Sequence, residues 1–124
     1  MAEAYDAVMA YATVHTWLAS LQRQGQLTAQ ERQAYLQVLA AFCAYVGQAP
    51  DAIIATCLRD TPNGKTIHRR SRQQYAAQIE AFQRQVPGGL RQQVQYGRMV
   101  RSFLIHNGVM LQAGWQYRPH STSE

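Results

Sequence analysis

Apolar residues return along this chain at helical intervals, and the intervals reset at glycines and prolines. Val14, Trp17, Leu18 and Leu21 stand at i, i+3, i+4 and i+7, one face of a helix predicted over residues 3–24 and stopped by Gly25. Thr28 is then a natural N-cap, and Glu31 three residues on completes a capping box. Tyr35, Leu39, Phe42 and Val46 carry the stripe to Gly47, which suits the left-handed position after a helix. Pro50 fits the first turn of a short third helix, through Ile53, Ile54 and Leu58 to about Asp60. The stretch TPNGKT, residues 61–66, reads as a turn-rich loop. A fourth helix is expected from about Ile67 to Val86, with Tyr75, Ile79 and Phe82 inward. Pro87-Gly88-Gly89 breaks it, and a last helix runs from Leu90 to His106, ended by Asn107-Gly108. No stretch alternates with period two long enough to make a strand. The expected fold is all-α, a compact bundle of four main helices plus a short helix over residues 1–108. Residues 109–124 have no period and read as a tail or linker.

Composition supports one packed domain. The chain has 124 residues, of which 47% are hydrophobic and 15% charged, too apolar for a disordered segment. Seventeen glutamines supply much of the remaining polarity. Glutamine keeps helix propensity while leaving no repulsion toward an anionic partner, although a compositional bias of the genome produces the same excess. The net charge is +5, and eleven of the twelve basic residues are Arg, a balance that favours polyanions. Cys43 and Cys57 form no C-x-x-C pair and sit in apolar helical contexts, so both read as buried free thiols in a reducing cytosol. No apolar run approaches the ~20 residues of a membrane span. The first residues, MAEAYDAVMAYA, lack the basic region of a signal peptide. A soluble, cytoplasmic protein is expected.

The last helix has two sides. Leu90, Tyr96, Val100, Phe103 and Leu104 cover one arc, whereas Arg91, Gln95, Arg98 and Ser102 line up at i, i+4, i+7 and i+11. Arg101 falls at the boundary, where its stem can lie on apolar surface with its head in water. No acid occurs between residues 91 and 108. Arg suits phosphate or guanine and Gln suits adenine, so this face has the chemistry of a DNA contact. For one helix alone, a merely solvated face is the simpler account. A second cluster shifts the balance: Lys65, His68, Arg69, Arg70 and Arg72 crowd the start of the fourth helix. Cations there oppose the helix dipole at roughly 0.3–1 kcal/mol each, and bound phosphate would relieve that cost.

Two segments resemble a known family. LTAQERQAYLQVLAAFCAYVGQAPDAI, with Leu27-Thr28, Tyr35 and Phe42, is similar to the first half of the core-binding domain of tyrosine recombinases, the phage-integrase family. IEAFQRQVPGGLRQQVQYGRMVRSFLIHNGV resembles its second half, through Gly89-Leu90, Val100, Arg101-Ser102-Phe103 and Gly108. The likeness covers about residues 14–110. It implies a SAM-like helical bundle forming one half of a C-shaped clamp on DNA, with the second and last helices facing the duplex. Two positions depart from the family: Glu31 and Gln92 stand where it often has Thr. A carboxylate at residue 31 would repel phosphate unless the capping box holds it against the backbone.

The resemblance also implies what is missing. The family's chemistry needs a His-x-x-Arg box and a Tyr nucleophile in a separate catalytic domain. None of His15, His68, His106 or His120 has Arg three residues on, and little chain follows Gly108. No catalytic residue, metal site or cofactor is therefore expected here: the histidines and cysteines lack ligand spacing, and the seven acids are dispersed. The expected partner is double-stranded DNA, with a separate or fused catalytic recombinase domain, and no membrane or small-molecule substrate. The expected contacts are Arg91, Gln92, Gln95, Arg98 and Arg101 on the last helix, Lys65, Arg69, Arg70 and Arg72 at the start of the fourth, and Arg32 and Gln33 early on the second. The alternative is a protein-interaction module whose basic face meets an acidic partner.

Overall fold

The computed structural model describes residues 8–25 and 27–111. Among these it places five helices, α1 (Ala12–Gln24), α2 (Ala29–Val46), α3 (Pro50–Cys57), α4 (Arg69–Arg84) and α5 (Leu90–His106), and a two-stranded hairpin, β1 (Leu58–Thr61) and β2 (Gly64–Ile67), between α3 and α4. The fold is mostly helical, and the hairpin corrects the expectation of a purely α-helical chain.

Local chemistry accounts for both ends of α2 and the start of α3. At α2 the capping box closes: Glu31 N–H donates to Thr28 Oγ1 at 3.0 Å, and Thr28 N–H donates to Glu31 Oε1 at 3.0 Å. Gly47 ends α2 at φ 71°, a left-handed conformation costly for a residue with a Cβ. Pro50 begins α3. The first helix is shorter than its stripe suggests, because a turn at Ala10–Tyr11 precedes it. It has no side-chain cap of its own. Asp51, in the first turn of α3, accepts instead from Thr13 N–H at 3.0 Å and Thr13 Oγ1 at 2.5 Å.

The hairpin occupies the segment read as a helix end and a loop. Arg59 pairs with Thr66 and Asp60 with Lys65, around a Pro62-Asn63 turn that Gly64 completes at φ 115°. Everything from Arg59 to Thr66 is exposed, and only Leu58 and Ile67 at the base are half-buried. A strand pair wet on both faces has no alternation to detect.

Helix α5 packs against α1, α2 and α4. The core joins Trp17, Leu39, Phe42, Ile53, Ile79, Val100, Phe103 and Leu104, all fully buried. Trp17 stacks on Tyr35 with centroids 5.5 Å apart and meets the edge of Phe103 at 5.4 Å, while its Nε1–H donates to Ser102 Oγ at 3.1 Å. Asn107 Nδ2 donates to Thr13 O at 3.1 Å, tying the end of α5 to α1. Val109, expected in the tail, is fully buried and its N–H donates to Leu104 O, so the packed unit extends past Gly108. The rest of the expected tail, from residue 112, lies outside the described residues. Among those residues no single helix is long and apolar enough to cross a membrane.

Candidate nucleic-acid interface

An open groove of about 1080 Å³ runs between the end of α1, the start of α2 and the length of α5. On the α5 wall stand Arg91, Gln95, Arg98 and Ser102, with the exposed apolar Leu90 and Val94 beside them and His106 at the far end. The α1 and α2 walls contribute Leu21, Gln24, Thr28, Gln30, Glu31 and Tyr35. Arg91 and Arg98 are exposed, and the one ion pair among the described residues is elsewhere, between Lys65 and Asp60. Glu31 is the carboxylate lining this groove, and its Oε1 is held by the Thr28 N–H and hydroxyl. The groove therefore presents guanidinium and amide groups with its acid turned to the backbone.

The structure redistributes the other expected contacts. Gln92 is exposed, with its side chain against Gly88 rather than in the groove. Arg32 and Gln33 are exposed but do not line it. On that helix the facing positions are Gln30, Glu31, Ala34 and Tyr35, so Gln30 takes the place expected for Gln33. Lys65 is paired, because the antiparallel register sets Asp60 opposite it, Nζ to Oδ1 2.6 Å. Both partners are well exposed, and such pairs contribute little to stability.

Arg101 is the clearest correction. It is 8% exposed, and its Nη2 donates to Gln83 Oε1 at 2.9 Å across the α4–α5 seam. Gly97 makes room for this bond: a Cβ there would fall 2.0 Å from Gln83 Oε1 and 2.9 Å from Arg101 Nη1. Burial lowers the guanidinium's pKa and the charge of Glu80 opposes that shift. This head points into the bundle, not toward a phosphate. Arg101→Ala is expected to cost about 2–3 kcal/mol, because it removes both the packed stem and the partner of Gln83. Arg101→Met, which refills the volume without a buried charge, should stay within about 1 kcal/mol of the parent in chemical denaturation.

Arg91 and the start of α4 lie at opposite ends of an antiparallel helix pair, with Arg98 midway along α5. Near the α4–α5 turn, Gln93 Nε2 donates to Arg84 O at 3.1 Å and Val86 O at 3.2 Å. At the far end, Arg72 Nη1 donates to Met110 O at 3.4 Å. With α4 at 16 residues and α5 at 17, Arg91 and Arg69 are about 25 Å apart along the helices. Arg91 and Arg98 line the α1–α2–α5 groove, whereas Arg69 and Arg72 line a different concavity.

Leu90, Val94, Gln30 and Arg59 were not among the expected contacts. Leu90 was placed on the dry arc yet is 74% exposed; Arg59 was hidden by reading its segment as helix. The thiols offer no nucleophile at neutral pH, since burial pushes Cys57 up to about 11 and Cys43, which is half-buried rather than buried, up to about 12. No protein-family model, curated protein or solved structure matches the chain.

Proposed function

We propose that this chain is a non-catalytic module that grips duplex DNA, similar to the core-binding domain of a tyrosine recombinase or integrase, with α2 and α5 toward the duplex. The observation that carries the reading is the groove wall of Arg91, Gln95, Arg98 and Ser102, whose two guanidiniums have no ion-pair partner among the described residues. Arg91 and Arg98 take phosphate oxygens, and Gln95 between them reaches a base edge. Closure of the capping box supports the same reading, because it ties Oε1 of the Glu31 carboxylate to the Thr28 N–H and hydroxyl. Strand exchange would require a catalytic domain, fused or separate, acting on DNA in the cytoplasm.

Gel-shift titration of a mixed-sequence duplex at several salt concentrations tests this proposal. If Arg91 and Arg98 each neutralise one phosphate, the groove contributes about −1.8 to the slope of log affinity against log salt. Duplex should be preferred over single strand of the same sequence. An absent or salt-independent response would overturn the proposal. The rival reading, an acidic protein partner, draws on the exposure of Leu90 and Val94 (42%) in the same groove; equal weak binding of duplex and single strand would favour it.

A further inference from the structure

Between α3 and α4 the chain builds a hairpin that its own packing does not require. A lone two-stranded ribbon is marginally stable in water, and from Arg59 to Thr66 this one buries nothing against the bundle. It is nonetheless closed at both ends. Thr61 Oγ1 donates to Gly64 O at 2.6 Å at the tip, and His68 N–H donates to Cys57 O at 2.7 Å at the base.

The chemistry gathered around it is one-sided. Arg59 and Lys65 stand on the strands, and Arg69, Arg70 and Arg72 on the first turn of α4, against the single acid Asp60. Arg59 Nη2 lies 3.0 Å from His68 Nε2, and His68 Nδ1 lies 2.6 Å from Ser71 Oγ. Because a guanidinium can only donate, His68 accepts at Nε2 and donates from Nδ1 to buried Ser71. This chain of bonds holds the Arg59 head beside α4. The first turn of α4 has no acidic residue and no side-chain cap, so its cations oppose the dipole with no internal compensation. Lys65, Thr66, Arg69 and Arg72 share a concavity with Asn107 and Gly108 just beyond α5. The ribbon carries no large apolar side chain between its base residues, so it suits a polyanion rather than a hydrophobic protein surface.

We infer that the hairpin and the first turn of α4 form a second contact for the phosphate backbone of duplex DNA, separate from the α2–α5 groove. The inference rests on the DNA-binding reading above. The ~25 Å from Arg91, at the far end of the groove, to Arg69 corresponds to about seven base pairs at the rise of B-DNA.

The test combines duplex length with salt. Mixed-sequence duplexes from about 8 to about 24 base pairs are titrated with the full chain and with the triple variant Arg59→Gln, Lys65→Gln, Arg69→Gln. All three residues are exposed, and circular dichroism verifies that the variant is folded. The parent should gain affinity as the duplex lengthens by roughly seven base pairs beyond the shortest one bound. The variant should keep its affinity for the short duplex and lose that gain. Its salt slope should be shallower by about 2.7, so between 50 and 200 mM salt the parent loses about 40-fold more affinity than the variant on long duplexes. Unchanged length and salt dependence in the variant would overturn the inference while leaving the groove reading intact. Equal weakening on short and long duplexes would also overturn it, because the surfaces would then not be separate. No duplex binding by the parent at any length would remove both.

Discussion

If the chain grips duplex DNA as proposed, replacing Arg91 and Arg98 together by glutamate should lower that affinity by about 100-fold or more at 0.1 M salt. Losing two phosphate contacts alone accounts for about 60-fold, since two counterions at 0.9 each are no longer released. The added carboxylates then repel the backbone and flatten the salt slope further. Stability should move the other way. Both side chains are exposed, and Arg91 lies in the first turn of α5, where Glu complements the dipole that Arg opposes. The variant should therefore melt at or slightly above the parent temperature while failing to shift a labelled duplex. A lower melting temperature with unchanged binding would make these arginines structural. The opposite results expected for Arg91 and Arg98 on one side and Arg101 on the other follow from one helix having two differently occupied faces.

Trp17→Ala is expected to remove about 3–5 kcal/mol of folding stability, the range for deleting a fully buried large aromatic. Trp17 is 0% exposed and joins three elements through its stack on Tyr35, its edge contact with Phe103 and its bond to Ser102. Truncation leaves a cavity at the crossing of α1, α2 and α5 and strips the Ser102 hydroxyl of its donor. Against a typical stability of roughly 5–15 kcal/mol this is a large fraction, and a melting shift on the order of 15 °C follows. Trp17→Phe should recover part of the packing but not the bond to Ser102. Thermal melts of both variants check the order; equal losses would mean that volume is irrelevant there. Ser102 also lines the groove along α5, so the tryptophan positions that wall from behind.

Helix boundaries were legible where the interactions that set them are local. The Thr28–Glu31 box, Gly47, Pro50 and the limits of α5 at Leu90 and His106 all emerge as read. Each depends on residues within about one turn, which a sequence displays directly. The hairpin was illegible for the complementary reason. Its pairs, Arg59 with Thr66 and Asp60 with Lys65, are polar on both sides, and β structure announces itself mainly by burying alternate residues. The cap on α1 was equally hidden, because Asp51 reaches it from another helix.

The Arg-Gln stripe of α5 separates what the chain alone determines from what packing decides. Sequence determines angles: Arg91, Gln95, Arg98 and Ser102 share a face because an α-helix turns 100° per residue. It also puts Leu90, Val94, Gly97 and Arg101 on one neighbouring stripe at i, i+4, i+7 and i+11. Only the tertiary structure decides where along that stripe water is excluded. At Leu90 and Val94 it is open to solvent; from Gly97 onward it is closed. There the missing Cβ admits Gln83, and Gln83 satisfies the Arg101 guanidinium inside. A leucine is thus left in water and an arginine in the core. Burial depends on which neighbour reaches a given turn, and that is a property of the packed bundle rather than of any window of its sequence.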